Sequence, residues 1–308
     1  AAGAGGLAVG VHTTQFEIRL PEYDYLEAVL RLAAEEVERA TVDEPVIKVA
    51  GIVGPTAQAV AEARLARRYG YHLGLLSMGG LQDWTEAALV ERARAVAEVI
   101  PLFGFYLQPA VGGRRLSFDF WRQFVEIDNV YAIKVAAFDR YQTLDVVRAV
   151  CQSPRAGEIA LYTGNDDNIV GDLLSEYAFD VDGRTVRKGF VGGLLGHWAF
   201  WTKRAVELLE EVRKWRDREH LPAELLRLGH AVTDVNAAVF DPAHDFHGCI
   251  SGISEVLRRQ GLLANRLCLS PEERLSPGQP EEIDRVYRAY PELNDDDFVR
   301  QHLHDWLQ

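Results

Sequence analysis

Seven strand–helix units in a row are the feature that most constrains how this chain folds. Short apolar runs typical of buried strands alternate with helical patterns, and the connections between them are short. We predict strands near residues 6–11, 45–51, 71–76, 102–106, 129–134, 158–162 and 189–192, and helices near 21–39, 56–69, 85–99, 117–126, 141–151, 168–177 and 197–216. This repeat predicts a parallel sheet with helices outside it, either doubly wound or closed as a (β/α)8 TIM barrel.

The barrel is the better supported of these two folds. No G-x-G-x-x-G sequence opens a helix after a strand, so the main support for a dinucleotide-binding fold is missing. A barrel needs eight units and seven are visible, so we expect the first strand and helix to be missing before Ala1. From Leu221 onward the pattern is helical only, which predicts a barrel over residues 1–216 and a C-terminal helical extension over 217–308.

Composition excludes several classes of protein. The net charge of the 308 residues is -13, which argues against a nucleic-acid partner. No run approaches the roughly 20 apolar residues of a membrane span, so no membrane partner is expected. The three cysteines are far apart and form no CxxC pattern, so we predict neither a disulfide framework nor a structural zinc site, and a reducing, cytoplasmic setting.

One predicted strand, residues 129–134, ends in a lysine. Lys134 would lie at the C-terminal end of a strand that is apolar without alternation, which is typical of a buried parallel strand. Burial favours the neutral amine, which can attack a carbonyl carbon to form a Schiff base. The alternative is that Lys134 extends past the barrel rim into solvent.

Other polar residues follow neighbouring strands. In a barrel the C-terminal ends of the strands surround one pocket, so these residues are expected to meet there. The ends carry His12, Thr13, Thr14, Tyr106, Gly164 and Gly192 in addition to Lys134.

These residues resemble the dihydrodipicolinate synthase/N-acetylneuraminate lyase family of class I aldolases, which are eightfold barrels with a helical C-terminal extension. The family's Asn-Val-x-Gly-Ile-Lys strand is matched closely by residues 129–134, and its two threonines are matched by Thr13 and Thr14. Its tyrosine before a proline loop, its Gly-Asp-Asp and its Gly-rich last strand are matched at 105–109, 164–167 and 188–193.

The resemblance implies the roles of these residues. Lys134 would form the Schiff base with a 2-keto acid, typically pyruvate, and Tyr106 would relay protons. Thr13 and Thr14 would bind the keto-acid carboxylate. No cofactor or metal is expected, and a homo-oligomer, a tetramer or a dimer, is implied. Further substrate contacts are expected from His12, Gly164, Gly192 and Arg114.

The chain also departs from the family pattern. His12 and Gln15 replace glycines, Arg114 lies in a longer glycine-rich loop, and residues 135–138 are apolar where the family has a polar run. The second substrate is therefore expected to be a sugar acid or another aldehyde-derived compound rather than aspartate semialdehyde.

Two other functions are open on the sequence. Asp166, Asp167 and the histidines could serve a metal-dependent barrel hydrolase or isomerase. The chain could also bind a keto acid as a sensor or carrier without turnover. A metal site at residues 244–249 is a further alternative to a helix start capped by Asp245.

Overall fold

The apolar runs of the sequence form one eight-stranded sheet in the computed structural model, which describes residues 1–40, 45–194 and 196–308. The first six strands and the last run parallel, in the order β1-β2-β3-β4-β5-β6-β8, and β7 pairs antiparallel with β8. All seven predicted strands are present. Their bounds are β1 Gly6–Val9, β2 Ile47–Ile52, β3 Leu73–Leu76, β4 Leu102–Leu107, β5 Val130–Ala136, β6 Ala160–Thr163 and β8 Arg184–Gly193, with β7 at Glu176–Val181.

Helices separate the parallel strands as predicted. Three of them begin at a polar cap: the side chains of Thr85, Ser117 and Asp139 accept hydrogen bonds from the first backbone N–H groups of the helices that follow. These caps explain why the helical patterns start where they do. The helices are α1 Leu26–Arg39, α2 Thr56–Arg68, α3 Glu86–Ala97, α4 Phe118–Val125 and α5 Arg140–Gln152.

The sheet has two different apolar faces. The inner face carries one buried cluster, which includes Val49, Leu75, Phe105 and Ala136. The opposite face of β4 packs on α4, where the Tyr106 ring lies 5.3 Å from the ring of Trp121. Because both faces are buried, β4 is apolar throughout and shows no alternation in the sequence.

An antiparallel hairpin replaces the end of one predicted helix. The pattern at residues 168–177 predicted a longer helix, but α6 spans only Ile169–Leu174 and β7 begins at Glu176. The hairpin turns at Asp182 and Gly183, whose φ angles of 52° and 77° are those of a type I′ turn. Asp-Gly between two strand-like runs is a strong hairpin signal in the sequence, but β7 was not predicted.

By internal contacts the chain divides into a sheet unit, Gly5–Asn165 with Ser175–Leu194, and a helical unit, Ala1–Ala4 with Asp166–Leu174 and Leu195–Gln308. The helical pattern predicted from Leu221 onward is confirmed by four α-helices in the helical unit. The helix predicted at 197–216 is shorter than expected, because Trp201 has a positive φ of 47° just before it starts. The helices of this unit after α6 are α7 Thr202–Arg213, α8 Glu224–Phe240, α9 Cys249–Arg259, α10 Gln279–Ala289 and α11 Asp296–Trp306. The predicted domain boundary after residue 216 stays a prediction.

Asp241 organises the joint between α8 and α9. Its buried carboxylate accepts hydrogen bonds from the Gly248 N–H at 3.1 Å and the Ser276 hydroxyl at 2.5 Å, and it contacts the His244 Nδ1 at 2.6 Å. The cap of α9 is Gly248, so the sequence interpretation of Asp245 as the cap was wrong. No group of three or more His, Cys, Asp or Glu side chains in the described ranges is arranged to hold a metal ion.

β1 and β7 stand at the two ends of the strand order. Whether a further strand and helix precede Ala1 stays a prediction. Within residues 1–40, 45–194 and 196–308, no helix is both long and apolar enough to cross a membrane.

Candidate active site around Lys134

Lys134 lies on the inner face of β5, two residues before the strand ends, and is 1% exposed. Its Nζ lies 4.5 Å from the centre of the Phe105 ring. A cation–π interaction with the ring face replaces part of the hydration that a charged amine loses on burial. The strand register places Phe105 and Tyr162 on either side of Lys134. The prediction of a buried lysine at the end of this strand is therefore confirmed, and Lys134 does not extend into solvent.

Because Gly164 has no side chain, the Lys134 side chain can occupy the space next to it. A Cβ atom on Gly164 would lie 2.5 Å from the Lys134 Cε and 2.9 Å from the Ala136 Cβ. Any larger residue would displace one of these groups, because atoms in a close-packed interior cannot approach so closely. The structure thus brings Gly164 to Lys134, in contact with the lysine stem.

The two threonines follow β1 in a 3₁₀ turn, His12–Thr14, and differ in availability. The Thr14 hydroxyl accepts from the N–H groups of Gly10 at 2.6 Å and Val11 at 3.0 Å, and it donates to the Val11 carbonyl at 2.8 Å. Thr14 therefore holds the turn, and its hydroxyl is used there rather than offered to a carboxylate. The Thr13 hydroxyl has no hydrogen-bond partner within the described ranges and is available to a ligand.

His12 begins this turn, and the charge of Lys134 affects its protonation. Its Nδ1 is buried and, in the part of the chain that the structure describes, has no hydrogen-bond partner. Burial, and then the positive charge of Lys134, lower the pKa of His12 to about 4. His12 is consequently a neutral imidazole at neutral pH, close enough to Lys134 for that charge to oppose its protonation.

Tyr106 is not brought to Lys134. It follows Phe105 on β4 and pairs with Val135, so its side chain points to the face opposite to that of Lys134. Its hydroxyl donates to the Gln142 side chain on α5 and accepts from the Leu116 N–H at 3.2 Å. Burial raises the pKa of this phenol, which stays neutral. The predicted proton relay does not fit this geometry, and Tyr106 instead joins the sheet to its helices.

Tyr106→Phe tests this reassignment. We expect a loss of about 1–3 kcal/mol in the free energy of unfolding, because Gln142 and the Leu116 N–H lose a buried partner. Any reaction at Lys134 should keep its rate. Denaturant unfolding and an assay of the exchange of pyruvate methyl protons with deuterium measure the two effects; a large loss of exchange in a folded variant would restore Tyr106 to the site.

Arg114 and Gly192 were both expected to contact the substrate, and the structure places only Gly192 in line with Lys134. The Arg114 guanidinium donates to the carbonyls of Leu81 at 2.7 Å and Trp84 at 2.9 Å, so it fastens its own loop to the one before α3. Gly192 on β8 pairs with Tyr162 and so lies in the same row across the sheet as Lys134. Gly192 therefore shares the sheet face of Lys134, whereas the contacts of Arg114 do not bring it to the lysine.

Asp166 and Asp167 lie in the helical unit. Their main-chain oxygens accept from Asn236 at 2.9 Å and Thr233 at 3.0 Å on α8. They precede α6, as expected for an acidic helix start.

Two residues next to the lysine, Phe105 and Tyr162, and one buried residue after β6, Asn165, were not predicted from the sequence as part of the site. Phe105 and Tyr162 could have been found by aligning the neighbouring strands in register with Lys134, because paired residues share a face. Asn165 is fully buried, and its side chain accepts from the Phe138 N–H at 2.9 Å and donates to the Thr143 hydroxyl at 3.3 Å. Asn165 thus holds the loop after β5 in place. Its position just after the end of β6 was the sequence signal that could have identified it.

Comparison with known proteins gives no sequence match and many structural ones. No protein-family model matches the chain, and no curated protein matches it. The 4-hydroxy-tetrahydrodipicolinate synthase of Methylacidiphilum fumariolicum matches with a TM-score of 0.73 at 19% identity, over 97% of this chain and 88% of that chain. The dihydrodipicolinate synthase of Oceanobacillus iheyensis matches with a TM-score of 0.72 at 18% identity, over 94% and 86%. The chain has the fold of the dihydrodipicolinate synthases.

A third match is the chloride-inhibited dihydrodipicolinate synthase of Acinetobacter baumannii in complex with pyruvate, with a TM-score of 0.72 at 18% identity over 93% of this chain and 87% of that chain. The resemblance predicted from the motifs is thus confirmed for the fold: a (β/α)8 barrel of the dihydrodipicolinate synthase type with C-terminal helices. At this identity the likeness concerns the fold alone.

Proposed function

We propose that the protein is a Schiff-base lyase that acts on a 2-keto acid of the pyruvate type. The observation that carries the proposal is the Lys134 amine, buried on the inner face of a barrel strand, with its stem in the space left by Gly164. A lysine buried in this way costs stability as a cation, so its presence in an otherwise apolar strand points to chemistry rather than packing.

The reaction begins with attack of the neutral Lys134 amine on the C2 carbonyl carbon of the keto acid. The carbinolamine hydroxyl takes up a proton and leaves as water, which gives an iminium that withdraws electrons from the neighbouring C–H or C–C bond; hydrolysis of the final iminium returns that proton. Breaking that bond gives an enamine instead of an unstabilised carbanion. Making or breaking a carbon–carbon bond, or losing water, are the outcomes open to this intermediate.

Thr13 is the residue best placed to bind the keto-acid carboxylate. Its hydroxyl is available, whereas that of Thr14 is used within the turn. The pyruvate complex of the Acinetobacter baumannii enzyme supports a keto acid as the ligand of this fold. Because Arg114 holds two backbone carbonyls, a sugar acid or other aldehyde-derived compound remains the proposed second substrate.

Borohydride trapping tests the proposal. The protein is mixed with pyruvate and sodium borohydride, and the intact mass and peptide map are measured; we expect one reduced adduct, on Lys134. A parallel sample without pyruvate should stay unmodified. Absence of an adduct, or an adduct on another lysine, would contradict the proposal.

A second candidate, binding of a keto acid without turnover, is favoured by the position of Tyr106. If no other group moves the C3 proton, the iminium would form and go no further. A stable adduct with no exchange of the pyruvate methyl protons and no reaction with a panel of aldehydes would support this sensor or carrier. The homo-oligomer and the cytoplasmic location stay predictions. Light scattering, which measures the mass of the assembly, tests the oligomeric state.

A further inference from the structure

An aldolase needs a group that takes a proton from C3 of the bound keto acid, and Tyr106 lies on the wrong face of the sheet to do so. We propose that His12 is this acid–base residue, acting on the iminium formed at Lys134. The inference rests on the proposed function. It assigns a role to a residue that stands where the related motif has a glycine.

The turn that carries His12 lies against the face of the sheet on which Lys134 lies. Val11, immediately before it, and Phe16, shortly after it, pack in one cluster with Phe105, Leu107 and Ala136. Phe105 is the ring under the Lys134 Nζ, and Ala136 borders the same stem. The residues flanking His12 thus belong to the same buried cluster as the immediate neighbours of the lysine.

The His12 ring has the chemical state that a base requires. Its Nδ1 is buried with no hydrogen-bond partner within the described ranges, which is unusual for a buried polar atom. The His12 backbone has a positive φ of 22°, a conformation that non-glycine residues seldom adopt and that is common at functional sites. Since its pKa is lowered to about 4, the imidazole is neutral and one ring nitrogen can accept a proton.

Binding of the keto acid would strengthen this base. The lowered pKa has two causes, burial and the Lys134 charge, and the second is opposed by a carboxylate bound next to the lysine. Protonation of His12 therefore becomes easier in the complex than in the free protein. A base is most effective when its pKa lies near the working pH, so substrate binding moves His12 in the useful direction.

The proton balance closes with the keto acid, the aldehyde and water as the reactants. His12 accepts a C3 proton, the electron pair of the C3–H bond forms the enamine double bond, and the iminium nitrogen recovers its electron pair. The enamine C3 then attacks an aldehyde carbon, and the aldehyde oxygen takes the proton from the His12 imidazolium. Water hydrolyses the new iminium and releases Lys134 and the product.

Tyr162 is the competing candidate, because it neighbours Lys134 in register. Its ring, however, lies 5.1 Å from the ring of Phe103, two residues before Phe105 on β4. The lysine stem extends the other way, past Ala136 and Gly164, which follow it toward the C-terminal ends of the strands. Tyr162→Phe therefore tests the competing assignment, and Tyr106→Phe on the opposite face is the matched control.

The test follows the exchange of pyruvate methyl protons in D2O by NMR, which needs no aldehyde. We expect His12→Gln to form the borohydride-trapped adduct on Lys134 as the parent does, while its exchange rate falls by about 100-fold or more. Tyr106→Phe, which changes the opposite face of the sheet, should exchange at the parent rate, and Tyr162→Phe should keep far more of the exchange than His12→Gln. His12→Asn, a second neutral replacement, serves if the glutamine variant does not fold.

The outcomes separate the two proposals. If the parent protein traps no pyruvate, the proposed function itself fails. If the parent traps pyruvate and a folded His12→Gln variant exchanges at the parent rate, the assignment of His12 is overturned and the Schiff base stands. Loss of trapping in that variant, or loss of exchange in Tyr162→Phe alone, would also overturn it.

Discussion

Lys134→Arg should abolish both the trapping of pyruvate and any turnover. Arginine keeps a positive charge on the inner face of β5, but its guanidinium does not lose a proton and cannot attack a carbonyl carbon. Intact mass after borohydride treatment and an exchange assay measure the loss, which we expect to be complete within detection.

Lys188→Arg provides a matched control. Lys188 is a half-buried lysine of the same sheet, and its Nζ donates to the Ala156 carbonyl, which a guanidinium can also do. This variant should trap pyruvate as the parent does. Because arginine is larger than lysine, Lys134→Met is a second replacement for the buried site, and thermal melting checks that each variant is folded. Substantial residual turnover in a folded Lys134 variant would contradict the account.

The second large effect is expected from Gly164→Ala. The new methyl group would lie 2.5 Å from the Lys134 Cε, so the lysine stem must move and its amine with it. A displacement near 1 Å at a reacting group can cost roughly 100-fold in rate, and we expect a loss of that order in the rate of adduct formation. A time course of borohydride trapping measures it.

Gly157→Ala is the control for the glycine substitution. A Cβ on Gly157 meets nothing within 4 Å, and its φ is not in the left-handed region. Its trapping rate and melting temperature should match those of the parent within about 0.5 kcal/mol of stability. Equal trapping rates for both alanine variants would show that the space beside Lys134 is not required.

Much of the fold follows from the sequence because its signals are local. Apolar runs between capped helices predicted the seven parallel strands, and Lys134 was correctly expected on a buried strand. The hairpin after α6 was missed although Asp182-Gly183 marks its turn, because the helical pattern before it was extended too far.

The site was harder to predict because it depends on which face a side chain occupies. β4 is buried on both faces, so nothing in its composition distinguishes Phe105, which faces Lys134, from Tyr106, which faces α5. Arg114 and Thr14 were misjudged for a related reason: their polar groups are used by backbone partners that only the fold brings together.

The most direct measurement is a crystal structure of the protein grown with pyruvate. We predict electron density continuous between the Lys134 Nζ and C2 of the ligand, with the ligand carboxylate at the Thr13 hydroxyl and the His12 ring facing C3. Pyruvate bound without a bond to Lys134, or bound elsewhere in the protein, would contradict the account.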